Sequence, residues 1–297
     1  MMLRWLLLVI GLTVAHPVLG QGEDSQPSER DLAVIATMLP GLYDNSNQTY
    51  FEDRTKVIEA LHHARRRVDI SPLDSATAAF DIQLSEPTDE PSMAPVVYRA
   101  QLGHDDARGQ VTMTITADGQ SCAYTWAREA QQFRARSNGQ CAELFAPQIV
   151  LGEQQLWWYA AASDQPADDG AFKLHRARTF ECYIDMPGVG GGRDTPYTRY
   201  DNITLHDRGA SHWIKTDDTP ARHIGINLWL VDWPINNYKG VFTRDSLVIS
   251  VLEKTDAGSV EHGYAFVEAD AKRVGINLKW LLATCFMESN SVARPSM

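Results

Sequence analysis

Arg176 and Arg178 are the side chains with the clearest chemical consequence in this sequence. They alternate along a stretch whose same-face neighbours are Leu174, Phe180, Cys182 and Ile184. Two guanidinium groups on an otherwise apolar strand face are costly to bury unless each is paired or meets an anion. The chemistry they offer is recognition of a carboxylate, which matches the planar, two-pronged donor set of Arg. The competing reading is a strand end emerging into water, with His175 and Thr179 on the buried side. Arg99 offers the same chemistry; it follows Tyr98 on an alternating run, so only one of that pair faces inward. Trp126, Trp157 and Trp158 provide flat surfaces that either stack on a ligand or fill a core.

Reactive constellations are missing from the sequence. There is no Cys-x-x-Cys, no His-Glu-x-x-His and no Gly-x-Ser-x-Gly. His62 and His63 are adjacent, so on a helix they point apart and do not chelate. His104-Asp105-Asp106 reads as a solvated turn. His206, Asp207 and His212 have metal-binding types at loose spacing, and no metal is expected. Gly188, Gly190, Gly191 and Gly192 are not followed by Lys-Ser/Thr, so they do not read as a phosphate loop. No cofactor is required by any of these groups.

Residues 1–20 read as a secretory signal peptide: a basic start, an apolar run over Trp5–Val14, and a cleavage site after Gly20. Export to the periplasm or outside the cell follows, with no membrane span left after cleavage. Four cysteines in an exported chain imply two disulfides, for which three connectivities exist. The Asn138-Gly139 turn signal favours Cys122–Cys141, leaving Cys182–Cys285. The net charge is −11, and removing residues 1–20 takes away Arg4 and no acid. That balance excludes nucleic acid and anionic membrane surfaces as partners.

The elements that must position these residues are mostly strands. Residues 21–28 form a polar linker, and Ser28 opens a helix whose Leu32, Ile35, Ala36 and Leu39 share one face. Pro40-Gly41 ends it, and Asn45 or Ser46 caps a second helical segment running to about Glu59. From Arg65 onward a period of two prevails, as in Phe80-Ile82-Leu84 and Val111-Met113-Ile115. Asp118-Gly119, Asn138-Gly139 and Asp169-Gly170 are hairpin signals between such runs. The pattern predicts a mainly β chain, an antiparallel barrel or sandwich.

The stretch Gly41-Leu42-Tyr43-Asp44-Asn45-Ser46-Asn47-Gln48 resembles the opening motif of the CpcT/CpeT family, the T-type phycobiliprotein chromophore lyases. Val97-Tyr98-Arg99 resembles a later strand of that family. Cys122, Cys141, Asp169-Gly170 and the strand with Arg176 and Arg178 resemble its exported bacterial relatives. The resemblance covers residues 30–185. It implies a lipocalin-like barrel over residues 29–186 with an open cavity, followed by a β-rich extension over 187–297. It also implies a bound linear tetrapyrrole (bilin), joined as a thioether to a cysteine of an acceptor protein. The ligand-binding residues it implies are Tyr43, Asn45, Gln48, Tyr98, Arg99, Arg176 and Arg178, with Asn45 equally suited to bonding its own turn. Two other readings stand beside this one: a non-catalytic carrier of an apolar or tetrapyrrole ligand, and a structural barrel filled by its own side chains.

Overall fold

The computed structural model describes residues 27–54, 62–74, 78–87, 94–138, 141, 146–159, 170–188, 196–217, 219–231 and 244–287. The expected signal peptide (1–20), the expected linker up to residue 26, the stretch 55–59 read as helical, Gly139, Asp169 and the glycines at 190–192 lie outside the described residues. Helix α1 (Pro27–Met38) leads into strand β1 (Gly41–Asp44) and helix α2 (Ser46–Arg54). Nine strands follow: β2 (Arg67–Pro72), β3 (Ala79–Ser85), β4 (Val96–Asp105), β5 (Gln110–Ala117), β6 (Gln120–Glu129), β7 (Gln132–Ser137), β8 (Gln148–Leu151), β9 (Gln155–Tyr159) and β10 (Ala171–Arg176). With β1 they form a closed antiparallel barrel in which each strand pairs with the next in the chain. β1 closes the seam, pairing Tyr43 with Val68 on one side and with Arg176 on the other. The lipocalin-like barrel, the N-terminal helix and the β-rich extension expected from the sequence are therefore present.

The period of two does what it predicts. Met113 and Ile115 are buried inside the barrel, while Thr114 and Thr116 face out. Asp118 and Gly119 both adopt positive φ (49° and 74°), the conformation a two-residue hairpin of this twist demands. Ile35, Met38 and Leu39 of α1 join the barrel core, so this helix stoppers one end. Asp31 pairs with Arg128 at 2.7 Å and Ser28 Oγ bonds His104 Nε2 at 2.5 Å, tying α1 to the hairpins at that end.

A second unit begins earlier than the sequence reading placed it. Strand β11 (Thr179–Pro187), assigned to the barrel by its alternation, pairs instead with β12 (Tyr197–His206) and β18 (Leu281–Phe286). The barrel ends at Arg176, because Phe180, Cys182 and Ile184 have the same period in either sheet and the sequence does not mark the crossing. β17 (Arg273–Leu278) completes this sheet in the order β12-β11-β18-β17. A second sheet runs β13 (Arg208–Lys215), β14 (His223–Val231), β15 (Ser246–Thr255), β16 (Gly258–Glu268). Phe180, Ile184, Ile226, Ile249 and Ala283 form the apolar layer between them, a β-sandwich. Both expected disulfides form, Cys122–Cys141 in the barrel and Cys182–Cys285 across directly opposed positions of β11 and β18. Among the described residues no helix is long and apolar enough to cross a membrane.

One side of the sandwich is fastened by a polar cluster. Arg222 donates to both oxygens of Glu253 (2.9 and 2.8 Å), His262 Nε2 lies 2.6 Å from the same carboxylate, and Arg222 stacks 4.0 Å from the centre of the Trp280 ring. The Arg222 hydrogen bonds, followed by that from His262, pull the Glu253 carboxyl down to about 2. A depressed carboxyl stabilises the fold above its ordinary value of 4.5 and loses that effect as pH falls towards 2. Glu253→Gln is expected to cost about 1 kcal/mol at neutral pH, a figure that allows for solvent screening. Thermal unfolding across this pH range is the measurement; a gap from wild type that stays constant down to acid would refute the assignment.

Candidate functional site

The Gly41–Gln48 stretch is a set of fasteners. Gly41 has φ +148°, and the Arg176 guanidinium occupies the place a Cβ would take. The Tyr43 hydroxyl lies 3.0 Å from the Met38 carbonyl and 3.1 Å from that of Leu39, and Arg176 sits 4.7 Å from the centre of its ring. Burial, opposed by Arg176, pushes the Tyr43 phenol up to about 12. Asp44 is fully buried and accepts from the Ser46 N–H (2.8 Å), from Arg65 Nε and Nη2 (3.3 Å each) and from Arg67 Nε (3.4 Å). Asn45 Oδ1 accepts the Arg66 N–H at 2.6 Å and its Nδ2 donates to the Ala64 carbonyl at 3.1 Å. Gln48 donates to the Ala171 carbonyl (2.9 Å) and accepts the Lys173 N–H (2.8 Å), clamping α2 to β10. Tyr43, Asn45 and Gln48 are thus committed to the protein's own backbone.

The four other candidates separate. Tyr98 faces into the barrel and is buried; Arg99 faces out, 67% exposed, with Nε 3.5 Å from Asp81. Arg99 therefore does not line the interior. Arg176 faces inward at the α1 end, where its guanidinium donates to the Met38 carbonyl, to Pro40 O at 2.5 Å and to Glu153 O at 3.0 Å. A cation on the last carbonyls of a helix is favoured by the helix dipole as well as by the hydrogen bonds. Arg178 stands past the end of β10, so the two arginines do not share one strand face. It grips Asp207 (Nε to Oδ2, 2.6 Å) and the Ala269 carbonyl (2.6 Å). Both arginines border a cavity of about 660 Å³ between barrel and sandwich, together with Pro40, Leu42, Asp207 and Arg208. The three tryptophans also part: Trp126 is core, Trp157 lies outside with Lys173 5.4 Å from its ring centre, and Trp158 faces in.

Two other places gather candidate chemistry. The first is the barrel end opposite α1. There Tyr98, Trp158, Phe172 and Leu84 form the last inward layer; Trp158 and Phe172 are only half-buried, and the Tyr98 and Trp158 rings lie 6.3 Å apart. Arg66 stands 5.8 Å from the centre of the Phe172 ring and pairs with Glu86. No protein-family model, curated protein or solved structure matches the chain.

The second place is the junction of the two units, which sequence reasoning missed. Arg65 donates to the Arg208 and Gly209 carbonyls (2.9 and 3.1 Å), and Arg208 Nε donates to the Arg176 carbonyl at 3.1 Å. Trp229 Nε1 donates to Asn47 Oδ1 at 3.2 Å and its ring meets Tyr50 edge-on at 4.7 Å. His206 is buried here, and burial followed by the fields of Arg67, Arg65 and Arg208 pushes its imidazole down to about 3. It is neutral at any ordinary pH. The only signal was Arg65-Arg66-Arg67, a basic run at a strand entry. Asp207, weighed with His206 and His212 as a metal set, is engaged by Arg178; no metal-binding group of three occurs among the described residues. All four cysteines are in disulfides, so any thiol chemistry needs a partner's thiol.

Proposed function

We propose that this protein is an exported binding barrel that takes a flat, partly apolar, carboxylate-bearing molecule of the linear tetrapyrrole class at the end opposite α1. The observation that carries the reading is asymmetry between the two barrel ends. One end is stoppered by α1, Tyr43 and Arg176; the other finishes in half-buried Trp158 and Phe172 beside Tyr98. Aromatic walls with one nearby cation suit a conjugated ring system with an acidic tail, and Arg66 is that cation. Two disulfides fit an oxidising compartment outside the cytoplasm.

Transfer of the bilin to an acceptor cysteine is the second reading, favoured by the likeness of Gly41–Gln48 to the lyase motif. In that step the acceptor's S–H adds across an exocyclic carbon–carbon double bond of the pigment. The sulfur bonds to carbon, the proton goes to the neighbouring carbon, and no oxidant is needed. Positioning would supply the rate gain.

Biliverdin or phycocyanobilin mixed with the purified protein is expected to give a red-shifted, intensified band that saturates. Trp158→Ala should weaken uptake by about 10-fold, the loss of one stacking surface in a pocket. No spectral change with any of several linear tetrapyrroles refutes the binding reading. Acid-stable pigment on an added phycobiliprotein subunit separates the lyase from the carrier.

A further inference from the structure

We propose that a small oxyanion, a carboxylate or a phosphate group, binds between barrel and sandwich in the cavity bounded by Arg67, His206 and Trp213. This cavity has a volume of about 490 Å³ and is also bordered by Arg65, Ser211 and Thr204. It lies outside the barrel wall, so the inference stands apart from the tetrapyrrole reading.

The first support is charge. Arg65 and Arg67 share one carboxylate, that of Asp44. Arg65 completes its bonds on the carbonyls of Arg208 and Gly209. Arg67 touches Asp44 only through Nε, and its two terminal nitrogens have no hydrogen-bond partner among the described residues. Burial disfavours the Arg67 charge and Asp44 only partly restores it. Asp69, on the same face of β2, adds attraction from an exposed position without forming an ion pair. Across Arg65, Arg67 and Asp44 the charges sum to +1, and the exposed Asp69 offsets this without occupying the Arg67 donors.

The second support is an imbalance of donors. His206 Nδ1 accepts the Arg208 N–H at 3.2 Å, so the neutral ring carries its hydrogen on Nε2. His206 is only 6% exposed, and that Nε2–H is buried with no acceptor. The Nε1–H of Trp213, a residue that borders the same cavity, is likewise buried without one. Orphaned buried donors are rare in folded proteins. Both residues border the cavity that Arg67 also borders. A group that supplies several acceptor lone pairs and a negative charge suits a lining of this kind, and oxyanions are the small groups that do so.

The test uses the full-length secreted protein and isothermal titration with sodium phosphate, sodium sulfate and sodium acetate, each against sodium chloride at equal ionic strength. Saturable one-to-one binding of at least one oxyanion is expected. Saturation by phosphate or sulfate alone identifies a tetrahedral group, and saturation by acetate alone identifies a carboxylate. Arg67→Gln should weaken binding by about 10-fold or more, the worth of one charge-assisted pair. Arg67→Lys, which keeps the charge without the fork, should recover part of it, and His206→Phe should weaken it by about 3- to 10-fold. Circular dichroism checks that each variant is folded, and Trp158→Ala should bind the anion as wild type does. The proposal is overturned if no oxyanion binds better than chloride, or if the folded Arg67→Gln variant retains full affinity.

Discussion

Asp44→Ala is expected to lower the first thermal unfolding midpoint by roughly 6–20 °C, the counterpart of a loss of about 3–5 kcal/mol. The carboxylate is fully buried, accepts the Ser46 N–H that starts α2, and is, among the described residues, the only carboxylate that Arg65 and Arg67 pair with. Removing it leaves two cations at a strand entry with no ion-pair partner and only the exposed Asp69 nearby, and removing one partner of a buried pair is the costly case. Adding Arg67→Met should restore part of the loss, since it takes away one of the orphaned charges. Differential scanning calorimetry of the single and double variants decides the matter. A drop of less than about 1 kcal/mol in the single variant would mean that the junction is solvated and the charges are screened.

Replacing Cys182 and Cys285 together by Ala is expected to cost about 4–5 kcal/mol on the chain-entropy account, because the bond closes a loop of 103 residues. The same double replacement at Cys122 and Cys141, separated by 19 residues, should cost about 3 kcal/mol. The longer loop contains most of the sandwich, so protease cutting should concentrate between β11 and β18 once that bond is gone. Urea unfolding of the two double variants, compared with wild type, gives the two losses. Equal losses, or a larger one at Cys122–Cys141, would show that loop length does not set the effect.

Much of the barrel could be read directly from residues. The alternation over Val111–Thr116, the Asp118-Gly119 turn and the Cys122–Cys141 pairing each depend on neighbours within about twenty positions, where local chemistry decides. Gly41–Gln48 also stood out, but its residue types looked like a ligand set when their hydrogen bonds go to backbone. Asn and Gln offer the same donors and acceptors to a carbonyl of the chain as to a bound molecule. Arg176 and Arg178 misled because Phe180, Cys182 and Ile184 continue the period of Leu174 across a change of sheet. Nothing in an alternating run marks which neighbour a strand will choose. The junction left no trace but the Arg65-Arg66-Arg67 run. Asp44, the Arg65–Arg67 run and His206 come from three separate stretches, and Arg65 reaches a carbonyl 143 positions away.

The seam at β1 sets an order of assembly. Tyr43 and Arg176, joined there, stand 133 positions apart. A polypeptide made from its N-terminal side presents β1 well before β10, which appears only after most of the barrel has emerged. Until then the growing ribbon has two bare margins, each a template for pairing with another molecule. Zipping the cylinder shut is therefore a late, non-local event, and slow by the usual relation between contact distance and rate. Any holdase that attends this chain before closure has its work between the appearance of Gly41 and that of Arg176.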